Sequence, residues 1–158
     1  MRAVLDSSVL VAAYISRAGV CADLLEDILM DHEWVISHYI LDELVRKLKE
    51  KFGFPDSEIA EIHESIVGAA ETVEPAEVHP ESCRDPNDLP VLGTAVAGRA
   101  DMLITVDKDL LDLKAHCGIP IIRPGEFWRR IEPNSSSPGT ATASDDQDTP
   151  AGQPASEP

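Results

Sequence analysis

Four acidic residues invite a chemical reading. Asp6 directly follows the apolar run Ala3-Val4-Leu5, and Asp107 directly follows Met102-Leu103-Ile104-Thr105-Val106. Asp88 lies in Arg84-Asp85-Pro86-Asn87-Asp88-Leu89-Pro90, and Glu43 in Leu41-Asp42-Glu43-Leu44. Carboxylate oxygens are the donors that hard divalent cations such as Mg²⁺ select, and such ions retain several of their waters. Brought together, these acids could hold one or two ions that activate a water and stabilise a leaving oxygen during in-line attack on a phosphodiester. Bound cations would also screen the repulsion between an acidic rim and a nucleic-acid backbone.

Each acid has a plainer reading beside that one. Asp6 and Asp107 could simply cap the helices that follow them. A carboxylate such as Asp88 is favoured at a helix N-terminus by the dipole, and Asp85 before it could form the turn. Glu43 could pair with Lys47 at i,i+4, which is worth only a few tenths of a kcal/mol. Asp109 lies close to Asp107 and could assist it.

The elements that must position these groups alternate between short β-type runs and helical periodicity. Ala3-Val4-Leu5 reads as a buried strand, followed by a helix capped by Ser7 or Ser8 and running to about Ile15. Ala22, Leu24, Leu25, Ile28 and Leu29 make a helical stripe, and Trp34-Val35-Ile36 a second strand. Ser37 then opens a helix with Ile40, Leu41, Leu44, Val45 and Leu48 on one face. Beyond Gly53-Phe54-Pro55 a further helix starts at Asp56 or Ser57 and carries Ile59, Ile62, Ile66 and Val67. Thr72-Val73 is a candidate short strand, and Val91, Leu92, Ala95 and Val96 mark another helix. Met102–Val106 is the clearest strand, with a short helix after Asp107. Ile119-Pro120-Ile121-Ile122 reads as an edge strand because proline cannot donate to a ladder. Glu126–Ile131 closes the series as a helix. Strands separated by helices imply a parallel sheet covered on both faces, with sites at the carboxyl ends of the strands. Asp6 and Asp107 then share one rim.

At 158 residues and 43% hydrophobic content the chain suits one globular domain. No apolar run reaches the roughly 18 residues of a membrane span, and the early acid in Met1-Arg2-Ala3-Val4-Leu5-Asp6 is unlike a secretory signal. Cys21, Cys83 and Cys117 are odd in number and widely spaced, as reduced thiols of a cytoplasmic protein would be. Cys21 and Cys117 sit beside apolar runs and read as packed thiols. The net charge is −16, and four of the acids lie in residues 133–158, which have no basic residue. That segment, rich in Pro, Ser, Thr, Gly and Ala, reads as a disordered tail after a domain of residues 1–132.

Other chemistries fit less well. His79, Cys83, His116 and Cys117 lack the spacing of a zinc finger or ribbon. No Gly-rich phosphate loop is present. A phosphatase with a nucleophilic Asp6 usually has a second acid two residues on, where this chain has Ser8. Arg46, Lys47, Lys49 and Lys51 form a dense basic run that could guide RNA phosphate or be a solvated helix face. Arg129 and Arg130 read as a solvated face.

The segments Val4-Leu5-Asp6-Ser7-Ser8-Val9-Leu10, Leu41-Asp42-Glu43-Leu44, Arg84-Asp85-Pro86-Asn87-Asp88 and Ala100–Leu111 together resemble, in content and order, the PIN-domain ribonucleases. The likeness is greatest to the VapC-like toxins of type II toxin–antitoxin pairs. It implies a three-layer α/β/α sandwich with a central parallel sheet, and an endoribonuclease dependent on Mg²⁺ or Mn²⁺. Asp6, Glu43, Asp88 and Asp107 fall on the family's metal-site acids. Ser8 falls on the small polar residue that supports the first Asp, and Thr105 on the hydroxyl of the last motif. Such proteins typically dimerise and are neutralised by a partner antitoxin. One departure is plain: related toxins often carry a second polar residue, Asp or Asn, after the third acid, where this chain has Leu89. The rival expectation is a catalytically silent PIN-like module that binds a partner protein or RNA without cutting it.

Overall fold

The computed structural model describes residues 1–131. The expected tail, residues 133–158, lies outside them. The chain divides into two compact units, Met1–Gly125 and a second beginning at Glu126. In the second unit the described helix is Phe127–Ile131, where the Phe127 and Trp128 rings meet edge-on with centroids 5.7 Å apart. Arg129 and Arg130 are exposed on it.

In the first unit, strand β1 (Arg2–Leu5) leads through helices α1 (Ser7–Ser16) and α2 (Val20–Asp31) to β2 (Glu33–Ile36). Helices α3 (His38–Glu50) and α4 (Asp56–Ala69) lead on to the short β3 (Glu71–Thr72). A long connection then reaches α5 (Leu89–Ala97) and β4 (Met102–Ile104), followed by α6 (Lys108–Leu111), β5 (Ala115–His116) and β6 (Ile119–Ile122). The sheet order is β3-β2-β1-β4-β6-β5. All neighbours are parallel except β5 and β6. Helices cover this sheet in a three-layer α/β/α arrangement. Chain order reverses direction at β1, which has β2 on one side and β4 on the other. That switch point, at the carboxyl ends of the strands, is where open α/β sheets form their sites.

Burial follows the apolar stripes. Ala3, Val4 and Leu5 are fully buried, as are Ile40, Leu41, Leu44 and Leu48 along one face of α3. Each such aliphatic side chain contributes about 1.5–3 kcal/mol on removal from water. Ser37 opens α3 as its N-cap, with its hydroxyl accepting from the Ile40 amide at 3.4 Å. Two glycines permit close approach: a Cβ at Gly98 would lie 2.4 Å from Val35 Cγ1, and one at Gly93 only 2.3 Å from the Ala76 carbonyl oxygen.

The structure corrects four expectations. Of the two readings of the α1 cap, the Asp6 one holds and the Ser7 or Ser8 one does not, because the Asp6 carboxylate accepts the Ser7 amide. Strand β4 stops at Ile104: the Thr105 amide still reaches the Ile122 carbonyl, but the Val106 amide turns to the Ser8 hydroxyl. Strand β6 is not the edge. The chain folds back through Cys117 and Gly118, both at positive φ, into a two-residue hairpin whose other arm, β5, takes the edge. That backbone matches the primed turns that suit tight hairpins. Cys117 is consequently exposed rather than packed, while Cys83 is buried, and all three cysteines are unpaired.

Candidate active site

Asp6 is 4% exposed at the end of β1. Its Oδ1 accepts the Ser7 amide at 2.8 Å, and its Oδ2 accepts the Ser8 hydroxyl at 2.9 Å and the Thr105 hydroxyl at 2.8 Å. The capping role and a role in chemistry are therefore compatible, since a carboxylate has about four acceptor positions. Burial pushes the Asp6 carboxyl above the usual range, against the three hydrogen bonds, and the charge of Glu43 adds to the rise. Thr105 also accepts the Asp107 amide at 2.9 Å, so one buried hydroxyl ties the ends of β1 and β4 together.

Helix α3 presents Tyr39, Glu43 and Lys47 in a row at i,i+4 spacing, all of them half-buried. Lys47 and Arg46 each approach Glu43 at 3.9 Å, so the plain ion-pair reading of Glu43 has a counterpart in the structure. A shorter contact competes with it: the buried Ser7 hydroxyl donates to Glu43 Oε1 at 2.9 Å and accepts from Lys47 Nζ at 3.3 Å. Glu43 is thus held against the first turn of α1, beside Asp6.

Asp88 lies in the 3-10 turn Pro86–Asp88, which Asp85 caps by accepting the Asn87 amide at 2.9 Å. Asp88 is 7% exposed, and the Cys83 thiol, 3.8 Å from its Oδ2, is a weak donor to it. Burial, together with the charges of Asp107, Asp6, Asp85 and Asp109, pushes its carboxyl up to about 7. Oxygens of Asp85, Asp88 and Asp109 lie within 4.8 Å of one another. Asp107 caps α6, with Oδ1 accepting the Asp109 amide at 2.9 Å. The tightest group therefore takes Asp85 and Asp109, expected as supporting residues, with Asp88. Asp6 and Asp107 flank it closely enough to perturb Asp88, and Glu43 perturbs Asp6.

Three neighbours were not marked by sequence reading. Ser7 follows Asp6 directly and reads as a helix-start serine. Lys47 reads as the ion-pair partner of Glu43 and as part of the basic run that could guide RNA phosphate, not as a partner of Ser7. Tyr39 donates its hydroxyl to the Asn87 carbonyl at 2.8 Å, and its phenol is pushed upward first by burial and then by Glu43, Asp88, Asp85 and Asp6. The row at 39, 43 and 47 was the available signal.

The donor set fits a hard divalent cation. It consists of carboxylate oxygens, and among the described residues Asp88 has neither an ion-pair partner nor a strong donor to offset its burial. Among the described residues, Arg84 is the basic group paired with the tight cluster, to Asp109 at 3.3 Å from an exposed position, where such pairs contribute little.

The PIN-domain family model matches residues 2–109, spanning every one of these acids. The chain belongs to the PIN-domain family. PIN domains are generally nucleases that use divalent metals. Similar solved structures include VapBC2 from Rickettsia felis bound to a promoter DNA fragment, at 16% identity and TM-score 0.55, covering 78% of this chain and 98% of that one. VapBC-1 from nontypeable Haemophilus influenzae is similar at 16% identity and TM-score 0.54, covering 79% and 99%. PAE2754 from Pyrobaculum aerophilum is similar at 18% identity and TM-score 0.56, covering 85% and 91%. At these identities the likeness is one of fold. No curated protein matches the sequence significantly. No single helix of this PIN domain, among the described residues, is long and apolar enough to cross a membrane.

Proposed function

We propose that this PIN domain, residues 1–132, is a divalent-metal-dependent endoribonuclease and the toxin of a toxin–antitoxin pair. The observation that carries the reading is Asp88, a buried carboxylate pushed up to about 7 among four other acids. Such a grouping is unfavourable alone and is relieved by a cation.

In this reading Asp6, Asp88 and Asp107 are the principal ligands of Mg²⁺ or Mn²⁺, and Glu43 binds directly or through a water. A bound ion supplies a polarised water as nucleophile and stabilises the leaving oxygen. Asp85 and Asp109 add oxygens beside Asp88. Ser8 and Thr105 hold the Asp6 carboxylate in one orientation, and Ser7 does the same for Glu43. The basic run Arg46, Lys47, Lys49 and Lys51 offsets the negative field where RNA phosphate approaches. The likeness of fold to the two VapBC structures supports an antitoxin partner, and PIN toxins typically act as homodimers. Widely spaced, unpaired cysteines suit the cytoplasm.

The test is cleavage of a mixed pool of structured RNAs with Mg²⁺, Mn²⁺ or EDTA, using wild type, Asp6→Asn and Asp88→Asn prepared identically. Metal-dependent cutting that both substitutions abolish is the expected result. Absence of cutting together with absence of metal binding by calorimetry would favour the silent binding module instead.

A further inference from the structure

A groove of about 640 Å³ opens beside the acids, lined by Tyr39, Pro75, Val78, Leu89 and Pro90, with Glu77 as its one charged lining side chain. That volume lies within the roughly 300–1,000 Å³ of small-molecule sites, which are apolar with a few polar groups. Its continuity with the acids is covalent. Leu89 and Pro90 directly follow Asp88, and Tyr39 is hydrogen-bonded to the Asn87 carbonyl and lies one helical turn before Glu43. We propose that this groove is a nucleobase-binding subsite that takes an unpaired base next to the phosphodiester held at the acids, with Tyr39 and Leu89 gripping its faces. The proposal rests on the reading of the acids as an RNA-cutting site.

Several features favour a base over another occupant. A flat heterocycle with polar edges suits a slot with an aromatic ring, aliphatic walls and a single acceptor group. Sequence-tolerant recognition of single strands works by stacking bases on aromatic side chains. The Tyr39 hydroxyl donates to the Asn87 carbonyl at 2.8 Å, and the half-buried Tyr39 lines the groove, where its ring offers a base an aromatic surface. The part of the lining at Pro75 and Ala76 is held by Gly93: the Ala76 amide donates to the Gly93 carbonyl at 3.0 Å, and the absence of a Cβ lets Pro75 and Ala76 lie close against α5. Exposed Glu77 offers only acceptors, so it faces a donor edge of the base. The proposal also accounts for Leu89. Where related toxins often place a polar residue after the third acid, this chain places an aliphatic side chain that lines the groove.

A neutral probe avoids the repulsion between an acidic protein and RNA. 2-Aminopurine riboside is titrated into the full chain in EDTA and its fluorescence followed, for wild type, Tyr39→Ala, Tyr39→Phe, Leu89→Asp and, as a control at the other end of α5, Arg99→Ala. The expected result is saturable quenching, weakened about tenfold or more by Tyr39→Ala and Leu89→Asp, and retained by Tyr39→Phe and Arg99→Ala. An acid at position 89 suits the first turn of α5 through the helix dipole but adds charge beside Asp88, so circular dichroism in EDTA checks the fold of each variant. In cleavage assays, removing the base beside the cut raises KM about tenfold and leaves kcat nearly unchanged. Absence of quenching, or quenching equal in Tyr39→Ala, Leu89→Asp and wild type, overturns the subsite even if RNA is cut. Quenching with this pattern but without RNA cleavage by any metal form upholds the subsite and removes the nuclease reading.

Discussion

The Thr105 hydroxyl, fully buried, donates to Asp6 Oδ2 at 2.8 Å while accepting the Asp107 amide at 2.9 Å, so one side chain joins two candidate ligands across neighbouring strands. Hydrogen bonds to charged groups contribute about 1.5–3 kcal/mol each. Thr105→Val keeps the shape but loses both bonds. It is expected to destabilise the metal-free protein by about 1–3 kcal/mol and to weaken metal binding, because the Asp6 carboxylate then holds its proton more tightly. Thr105→Ser should retain most of the stability. Urea unfolding of the three proteins in EDTA decides the matter, and equal midpoints would show that the hydroxyl does not hold Asp6.

Asp88 makes a prediction about pH. Its carboxyl is raised from 3.8 to about 7 in the fold, so between those values the folded state binds more protons than the unfolded one. Stability from this group is complete at low pH and is lost as pH rises through about 7. Asp6, also raised, acts in the same sense. Asp88→Asn is therefore expected to be more stable than wild type above pH 7 in EDTA, by ~1–2 kcal/mol, with a flatter pH profile. Melting temperatures at pH 5 and 8.5 test this. A variant less stable than wild type at pH 8.5 would refute the like-charge account.

The legible parts of this molecule share one property: a local pattern that tertiary structure does not override. The stripe of Ile40, Leu41, Leu44, Val45 and Leu48 after Ser37 predicts α3; four of the five are fully buried and Val45 half-buried, and Ser37 proves to be the cap. Placing Asp6 and Asp107 after strands predicts that they share a rim; β4 stops three residues short of Asp107, but its parallel pairing with β1 sets Thr105 to bond both Asp6 and the Asp107 amide. The hairpin of β5 and β6 is illegible because Cys117, at φ 52°, is not a residue that announces a positive-φ turn. Pro120 faces Ala115 in the pairing register, so its missing amide reports a two-residue arm rather than a free edge. The closeness of Asp85 and Asp88 to Asp109 joins groups more than twenty positions apart in the chain, a long-range relation that spacing does not encode.

Metal should invert the order of stabilities. Without cations, removing a charge at Asp88 relieves repulsion; with them, the same change removes a ligand. A cation that binds only the folded state stabilises it by about 2.7 kcal/mol at a hundredfold excess over Kd. Wild type is thus expected to gain several degrees in melting temperature on addition of Mg²⁺ or Mn²⁺, and Asp6→Asn and Asp88→Asn to gain much less. Scans with and without EDTA at pH 8 provide the comparison. Equal gains in all three proteins would place the binding elsewhere.

Two glycines in helices should respond oppositely to alanine. In α4, an added Cβ at exposed Gly68 meets nothing within 4 Å, so Gly68→Ala is expected to stabilise by up to about 1 kcal/mol through helix propensity. In α5, the Cβ of Gly93→Ala would fall 2.3 Å from the Ala76 carbonyl oxygen and 3.1 Å from Pro75 Cβ. The nearest atom is backbone, so no rotamer change relieves it, and the connection at residues 75–78 must move. That displacement is expected to cost about 1–3 kcal/mol, outweighing the propensity gain. Because the same residues wall the groove beside Tyr39, Gly93→Ala should also weaken 2-aminopurine riboside binding, whereas Gly68→Ala should not. Denaturation midpoints and the riboside titration measure the two effects separately. A stable Gly93→Ala protein with intact riboside binding would show that the connection can give way without cost and that its position does not shape the groove.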